Sequence, residues 1–434
     1  MTFLQRLANF LFVTAEYIYP LGIPSRINFC RCKRSEVSER ETFQALHRVC
    51  DRYLFDEDLF LKLKSFNASL AIIDANFMSN CLVVFAYKLR IPFIVFGIHN
   101  HVNIHRTPWA FSVFRHMLSL QPKGTPFFQR ISNTLANVRD YLRPAIGSPG
   151  RSIKDYVPGR PDIPFEDLFR QAELFIVDSD VFLDPALPAL PNVKYIGGMA
   201  SQPAEPLQGN ILDFINASKN GVIVVSPGSL ISWEIHARKM EEAFSKIKYD
   251  VVWKHSNSSY SRPNVLLTKW LPQNDLLGHP NTKLFITHCG NSGQYESLYH
   301  AVPMIGFPVF ADQPFNGYRM QIKGYGISMD MYTYTVDELV KNIKEVIENP
   351  RYKKNIAKAS MIFRSQKERP AEKAARHIDE IMKYGGDHLR SECQHIPLYQ
   401  FLMLDIWAVL LSATFLFVLV VRRRKKSPVR FGYG

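Results

Sequence analysis

The stretch Trp270–Gln313, WLPQNDLLGHPNTKLFITHCGNSGQYESLYHAVPMIGFPVFADQ, decides the fold of this chain. Leu284–Thr287 is a short apolar strand, and His288-Cys-Gly-Asn-Ser-Gly293 follows it as a turn opening a helix through Tyr295 and Glu296. In a parallel α/β sheet, ligands sit beyond the carboxyl ends of strands, at the N-termini of the following helices. Those N-termini present unpaired N–H groups and partial positive charge, which suit a diphosphate. Gly290 and Gly293 allow close backbone approach, and His288 adds a donor. Ser226-Pro-Gly-Ser229, after Val222–Val225, offers a second such turn, with Ser229 as a hydroxyl donor. Trp270 supplies a flat face for a base, and Gln273 reaches the same region. Glu296, one turn into the helix, can accept from ribose hydroxyls; Asp312 and Gln313 suit sugar hydroxyls. Singly, Trp270 reads as a core aromatic, His288 as a satisfied strand-end histidine and Glu296 as a surface charge. Their order and spacing carry the joint reading.

Working outward, strand runs alternate with helical patterns. Leu70–Ile73, ending at Asp74, and Ile91–Phe96 enclose a helix, a parallel βαβ pitch. Residues 41–63 show helical spacing of Phe43, Leu46, Val49, Leu54, Leu59 and Leu63. Arg106–Pro158 reads as largely helical with loops. Further strands are expected at Leu174–Val177, Lys194–Ile196, Gly221–Val225 and near Val251, Val265, Leu284 and Met304. Helices at Val336–Asn349, Tyr352–Gln366 and Ala371–Tyr384 close the soluble part. Gly197–Asn210, rich in Gly and Pro, reads as a linker. Two α/β units with a cleft between them are expected.

At 434 residues and 47% hydrophobic content, the chain has ample material for such cores. Of its net charge of +14, six positive charges lie in the tail from Arg422 to Arg430. No base-reading motif accompanies them, so no nucleic-acid partner is expected. Ile406–Val421 is uncharged, and with Leu398–Leu404 it reaches spanning length. Trp407 and Tyr399 suit the interface, and Arg422–Lys426 place the tail in the cytosol by the positive-inside rule. A single-pass membrane protein with a lumenal body is expected, although Met1–Ala15 makes a poor signal peptide. Sequons at Asn67, Asn216 and Asn257 agree with a lumenal body. The six cysteines show no CxxC pairing, so no disulfide is assigned; Cys30 and Cys32 read as free thiols. His99, His101 and His105 offer an HxH, but without an acidic second shell it is not read as a metal site.

Residues 41–426 resemble the UDP-glycosyltransferase family, in particular the membrane-anchored UDP-glucuronosyltransferases of animals. Trp270–Gln313 carries the signature, and Leu190–Val193 with Ile196–Gly198 resembles the motif before the linker. The resemblance implies a GT-B fold of two Rossmann-like domains and a UDP-sugar co-substrate, with no other cofactor and no metal. It implies contacts from Trp270 and Gln273 to uracil, from Glu296 to ribose, from Ser229, His288 and Ser292 to diphosphate, and from Asp312 and Gln313 to the sugar. It implies six segments. Residues 1–40 are atypical, 41–198 a partial acceptor-binding unit, 199–218 a linker, 219–397 the donor-binding unit, 398–421 a transmembrane helix and 422–434 a basic cytosolic tail. The expected localisation is the endoplasmic reticulum. Cys289 stands where a glycine is commonest, and Lys254 where arginine is usual.

The implied reaction is inverting transfer of a hexosyl or hexuronosyl group to a small lipophilic acceptor. It uses a histidine base held by an aspartate. Asp74 matches the aspartate; no histidine precedes His47, which lies on a helix. Residues 3–20 and 127–144 match at a fixed offset of 124, including Phe3/Phe127, Arg6/Arg130, Asn9/Asn133 and Tyr17/Tyr141. The first segment is therefore read as a displaced copy of the second, a helix. The competing expectation is an inactive UDP-sugar-binding relative that pairs with active homologues.

Overall fold

The computed structural model describes residues 11–13, 39–75, 79–97, 102–107, 126–141, 147–229, 233, 236–255, 262–309 and 311–426. Two parallel sheets organise them. The first runs in sequence order: β1 (Leu11–Val13), β2 (Ala71–Asp74), β3 (Phe93–Gly97), β4 (Leu174–Val177) and β5 (Val193–Tyr195). The second holds β6 (Val222–Ser226), β7 (Asp250–Lys254), β8 (Val265–Thr268), β9 (Thr282–Thr287), β10 (Met304–Gly306) and β11 (Gly326–Ser328). Its spatial order is β11-β10-β9-β6-β7-β8. The order reverses between β6 and β9, the place where a crevice opens in such sheets.

Both sheets are buried on both faces, which is why their strands read as continuous apolar runs rather than alternating ones. Ile73 and Val95 face one core with Phe85 and Phe169; Ile72, Ile94 and Ile176 face the other. That second face is covered by Ala374, Ile378 and Ile381 of the helix Pro370–Tyr384. The last soluble helix thus returns from the second half of the chain to the first sheet. In the second sheet, Ile223, Val251 and Ile286 pack with Met240 and Ile343, and Val224, Phe285 and Met304 with Leu298 and Ile356.

Several expectations change. Leu11–Val13, read as part of a helix, pairs in parallel with Ala71–Ile73 as an edge strand. The 41–63 pattern is two helices, Glu39–Leu54 and Glu57–Ser65, because Asp56 accepts from Leu59 N at 2.8 Å and caps the second. Residues 209–217, inside the expected linker, form the helix Gly209–Ala217, whose Ile215 is wholly buried. Residues 398–421 are not one helix. Leu398–Phe401 stops, Met403 takes φ +54, and a continuous helix runs Leu404–Lys426. Leu404–Arg423 is long and apolar enough to cross a membrane and wholly unburied by the rest of the chain.

Cys50 and Cys81 form a disulfide, Cα–Cα 6.0 Å, pinning the helix Glu39–Leu54 to the segment after β2. Cys30 and Cys32 lie outside the described residues. Closing a 31-residue separation restricts the unfolded chain, so the Cys50→Ser/Cys81→Ser pair should lower unfolding stability by about 3–4 kcal/mol. Denaturant unfolding of the two proteins measures this; superimposable curves would show that the bridge carries no stability.

Candidate active site

Where the sheet order reverses, β6 and β9 pair with Ser226 opposite Thr287, so their end turns meet side by side. Each turn is stitched by its own hydroxyl: Gly228 N donates to Ser226 Oγ at 3.2 Å, and Cys289 N to Thr287 Oγ1 at 3.3 Å. The His288 ring lies between the two turns. A Cβ on Gly228 would stand 2.5 Å from His288 Cε1, and one on Gly290 2.5 Å from Nε2. A side chain at either position would force the His288 ring to shift, and Gly228 also takes φ +84, which disfavours any other residue there. Burial, helped by the nearby Lys254 charge, holds the His288 imidazolium down at a pKa of about 4. The ring is neutral at physiological pH, and its Nδ1 has no hydrogen-bond partner among the described residues.

The turn after β9 feeds the helix Asn291–Tyr299, capped by Gly290 without a side-chain hydrogen bond. Its first N–H groups thus have no side-chain acceptor, and Asn291, Ser292 and Gly293 line a cleft of about 500 Å³. The same cleft is lined by Ser229, Lys254, Trp270, Gln273, His288, Gly290, Glu296 and Gln313. Trp270 is 71% exposed, which removes the core-aromatic reading and leaves a platform. Its carbonyl is fixed by Thr268 Oγ1 at 2.7 Å, and Lys254 Nζ sits 5.2 Å from its ring centre while donating to Gly228 O at 2.7 Å. Gln273 Nε2 donates to Glu296 Oε2 at 2.5 Å, and burial raises the Glu296 carboxyl above its usual range.

Asp312 and Gln313 separate. Gln313 lines the cleft and accepts from Val309 N at 2.9 Å. Asp312 lies outside the lining, raised in pKa by burial and accepting from Asn316 Nδ2 at 2.5 Å. Asp74 ends β2 in the other sheet and does not line this cleft; its carbonyl accepts from Ser79 Oγ at 2.5 Å. His99, His101 and the sequon Asn257 lie outside the described residues. His105 is buried with its ring 4.0 Å from that of Phe175. Asn67 and Asn216 are exposed.

The sequence reading missed the buried side chains behind the cleft. Arg319 Nη1 reaches both oxygens of Asp184 at 2.8 Å, Nη2 reaches Asn291 Oδ1 at 2.6 Å, and Nε reaches Gln294 Oε1 at 3.0 Å. Asn291 Nδ2 donates to Asp178 Oδ2 at 3.1 Å, and burial lifts the Asp178 carboxyl to about 6. The available signals were the acid Asp178 directly after the apolar run Leu174–Val177 and, apart from it, Asp184 and the arginine Arg319 in an unremarked helix.

A family model described as UDP-glucoronosyl and UDP-glucosyl transferase matches residues 25–431. The chain belongs to this family. It is 33% identical over 388 residues to UDP-glucuronosyltransferase 2C1 of Oryctolagus cuniculus, covering 86% of this chain and 77% of that protein. With UDP-glucuronosyltransferase 2A2 of Homo sapiens it shares 33% over 403 residues, covering 90% and 75%. Among solved structures, Os79 from O. sativa in complex with UDP aligns at TM-score 0.55 and 16% identity, covering 78% of this chain and 84% of that one. A UDP-glucosyltransferase from Polygonum tinctorium aligns at TM-score 0.54 and 16% identity, covering 80% and 84%. The fold is GT-B, and by family the chain is a glycosyltransferase.

Cys289 occupies a left-handed backbone position, φ +67, which explains why glycine suits it. Its buried thiol fills the space over Gly306, where a Cβ would fall 2.2 Å from Sγ. Gly306→Ala should cost about 1–3 kcal/mol through overpacking, and Cys289→Gly should recover most of it. A double-mutant cycle measures the coupling; strictly additive changes would separate the two residues. The His288 shift has its own signature. The unfolded chain takes up a proton near pH 6.5 and the folded one only near pH 4, so stability falls as pH drops through that window. Relative to His288→Gln, the protein should lose roughly 2–3 kcal/mol between pH 7 and pH 4.5. Parallel pH curves for the two proteins would remove the buried neutral ring from the account.

Proposed function

We propose that the cleft at the β6/β9 reversal binds a UDP-sugar and that the chain transfers its hexosyl or hexuronosyl group, with inversion, to a hydroxyl of a small lipophilic acceptor. The reading is carried by one observation. An exposed aromatic platform, a carboxylate–amide pair and a helix N-terminus lie along a single cleft of about 500 Å³, a volume suited to a ligand of this size. Trp270 stacks the uracil and Gln273 holds its edge. Glu296 accepts from the ribose hydroxyls, exchanging its bond with Gln273. Ser229, Ser292, the neutral His288 ring and the N–H groups after Gly290 take the diphosphate, with Gly293 allowing close approach. Gln313 takes the sugar, while Asp312 holds Asn316 behind it. In the reaction, the acceptor oxygen bonds to the anomeric carbon as the bond to UDP breaks, and the acceptor proton passes to a base oriented by Asp74. Donors fixed around the diphosphate stabilise the charge it gains on leaving.

In this reading the helix from Leu404 anchors the body on the lumenal side of the endoplasmic reticulum. The Cys50–Cys81 bridge supports that placement, because disulfides persist in oxidising compartments. A second reading is a donor-binding partner of active homologues. It draws on His47, which sits in the helix Glu39–Leu54 with its ring close against Gly150. Calorimetry with UDP and turnover across a panel of UDP-sugars and phenolic acceptors distinguish them. Trp270→Ala should weaken UDP about ten- to hundredfold through lost stacking. Asp74→Ala should abolish turnover and leave UDP affinity intact. UDP binding with no turnover in either protein selects the partner reading, and no UDP binding at all rejects both.

A further inference from the structure

Arg319 is a buried cation whose side chain joins its own helix to two other segments at once. It sits on the helix Gln313–Lys323, which begins directly after Asp312. Its bond to Asn291 grips the first residue of the helix that opens at Gly290, and its bond to Gln294 grips the next turn of that helix. Its bidentate pair with Asp184 crosses to the first half of the chain, where Ser179 Oγ also donates to Asp184 at 2.6 Å. A return path closes the loop: Asn291 donates to the carboxylate of Asp178, which directly follows β4 and also accepts from Gly198 N at 2.8 Å. One step further, Asn316, on the same helix as Arg319, donates to Cys289 O at 3.0 Å and to Asp312.

The planar guanidinium matters here. One nitrogen, Nη1, meets both carboxylate oxygens while Nη2 and Nε serve two amide oxygens, a spread of donors an ammonium cannot reproduce. Such a fully bonded buried network has few alternative arrangements, so it fixes the relative placement of the elements it joins. Neither Arg319 nor Asp184 lines the cleft.

We propose that Arg319, through Asp184 and Asn291, is the positioning residue that sets the diphosphate-binding helix N-terminus in register with the first half of the chain. This rests on the UDP-sugar reading of the cleft. The contacts assigned to the nucleoside come from Trp270, Gln273 and Glu296, and Arg319 hydrogen-bonds to none of these three. Those assigned to the diphosphate begin at Gly290, next to Asn291. The network should therefore govern affinity for the diphosphate and leave affinity for the nucleoside alone.

Uridine and UDP binding to the full chain in detergent separates the two. The variants are Arg319→Lys, which keeps the charge and loses the spread of donors, and Asp184→Leu/Arg319→Met, which removes the buried pair together so that no lone charge is stranded. In both, UDP should bind about tenfold more weakly while uridine stays within about twofold of the wild type, the differential expected for losing one well-aimed set of donors. Thermal melts of the double variant confirm that it is folded. UDP affinity unchanged in a folded variant overturns the proposal, and so does equal weakening of uridine and UDP, which marks a general loosening. A wild-type chain that binds neither ligand overturns the donor-site reading and the proposal with it. Loss confined to the variants leaves that reading standing.

Discussion

Two strand-end turns meet across one imidazole, and the rest of the site follows from how little room that leaves. Because β6 and β9 are hydrogen-bonded neighbours in register, their turns cannot separate. The His288 ring fills the gap, and a side chain at Gly228 or Gly290 would displace it. Water is largely kept from the ring, so it stays uncharged. In the proposed reading, an anion bound there is met by oriented N–H groups and hydroxyls, with Lys254 the one lysine or arginine among the described residues that line the cleft. The charge of Arg319 is already matched by Asp184. Recognition in this cleft is therefore dipolar more than ionic, which favours geometric fit over simple attraction of anions.

The acids around the cleft follow the same logic in reverse. Asp178, Glu296 and Asp312 are each raised in pKa by burial, and each is held by amide or backbone donors. Their bonds to Asn291, Gln273 and Asn316 keep them as oriented acceptors instead of leaving them to hydrate. Burying a carboxylate costs free energy unless its lone pairs are met. The amide residues beside these acids supply that compensation at three separate points of one site.

How much of this was legible in the sequence depended on whether a signal was local. The strands could be read because each is a short apolar run buried on both faces at βα pitch, and Trp270, His288 and Glu296 because one short segment carries them all. The helix Gln313–Lys323 could not be read. Its buried face includes Gln313, Asn316, Gly317 and Arg319, so burial there did not show as apolarity. β11 is only Gly326–Ser328, too short to leave a pattern. The break at Asp56 was hidden because the apolar spacing runs on through it, and only the cap reveals two helices. The Arg319 network joins residues up to 135 positions apart, a distance over which periodicity carries no information. Asp312 and Gln313 are adjacent in the chain but part in space, since neighbours at a helix start point in different directions.

The helix Pro370–Tyr384 returns to the first sheet, and the chain stays there afterwards. Gly386 N and Arg390 bond Glu173, and Gln394 bonds Asn192, before the long apolar helix begins. Whatever that helix is fastened to, it holds the first sheet and not the second. The β6–β11 half is joined to that first half by buried bonds, Arg319 to Asp184 and Asn291 to Asp178. Residues 386–394 thus connect the long apolar helix to the starts of β4 and β5, on the half of the chain that does not carry the two turns around His288.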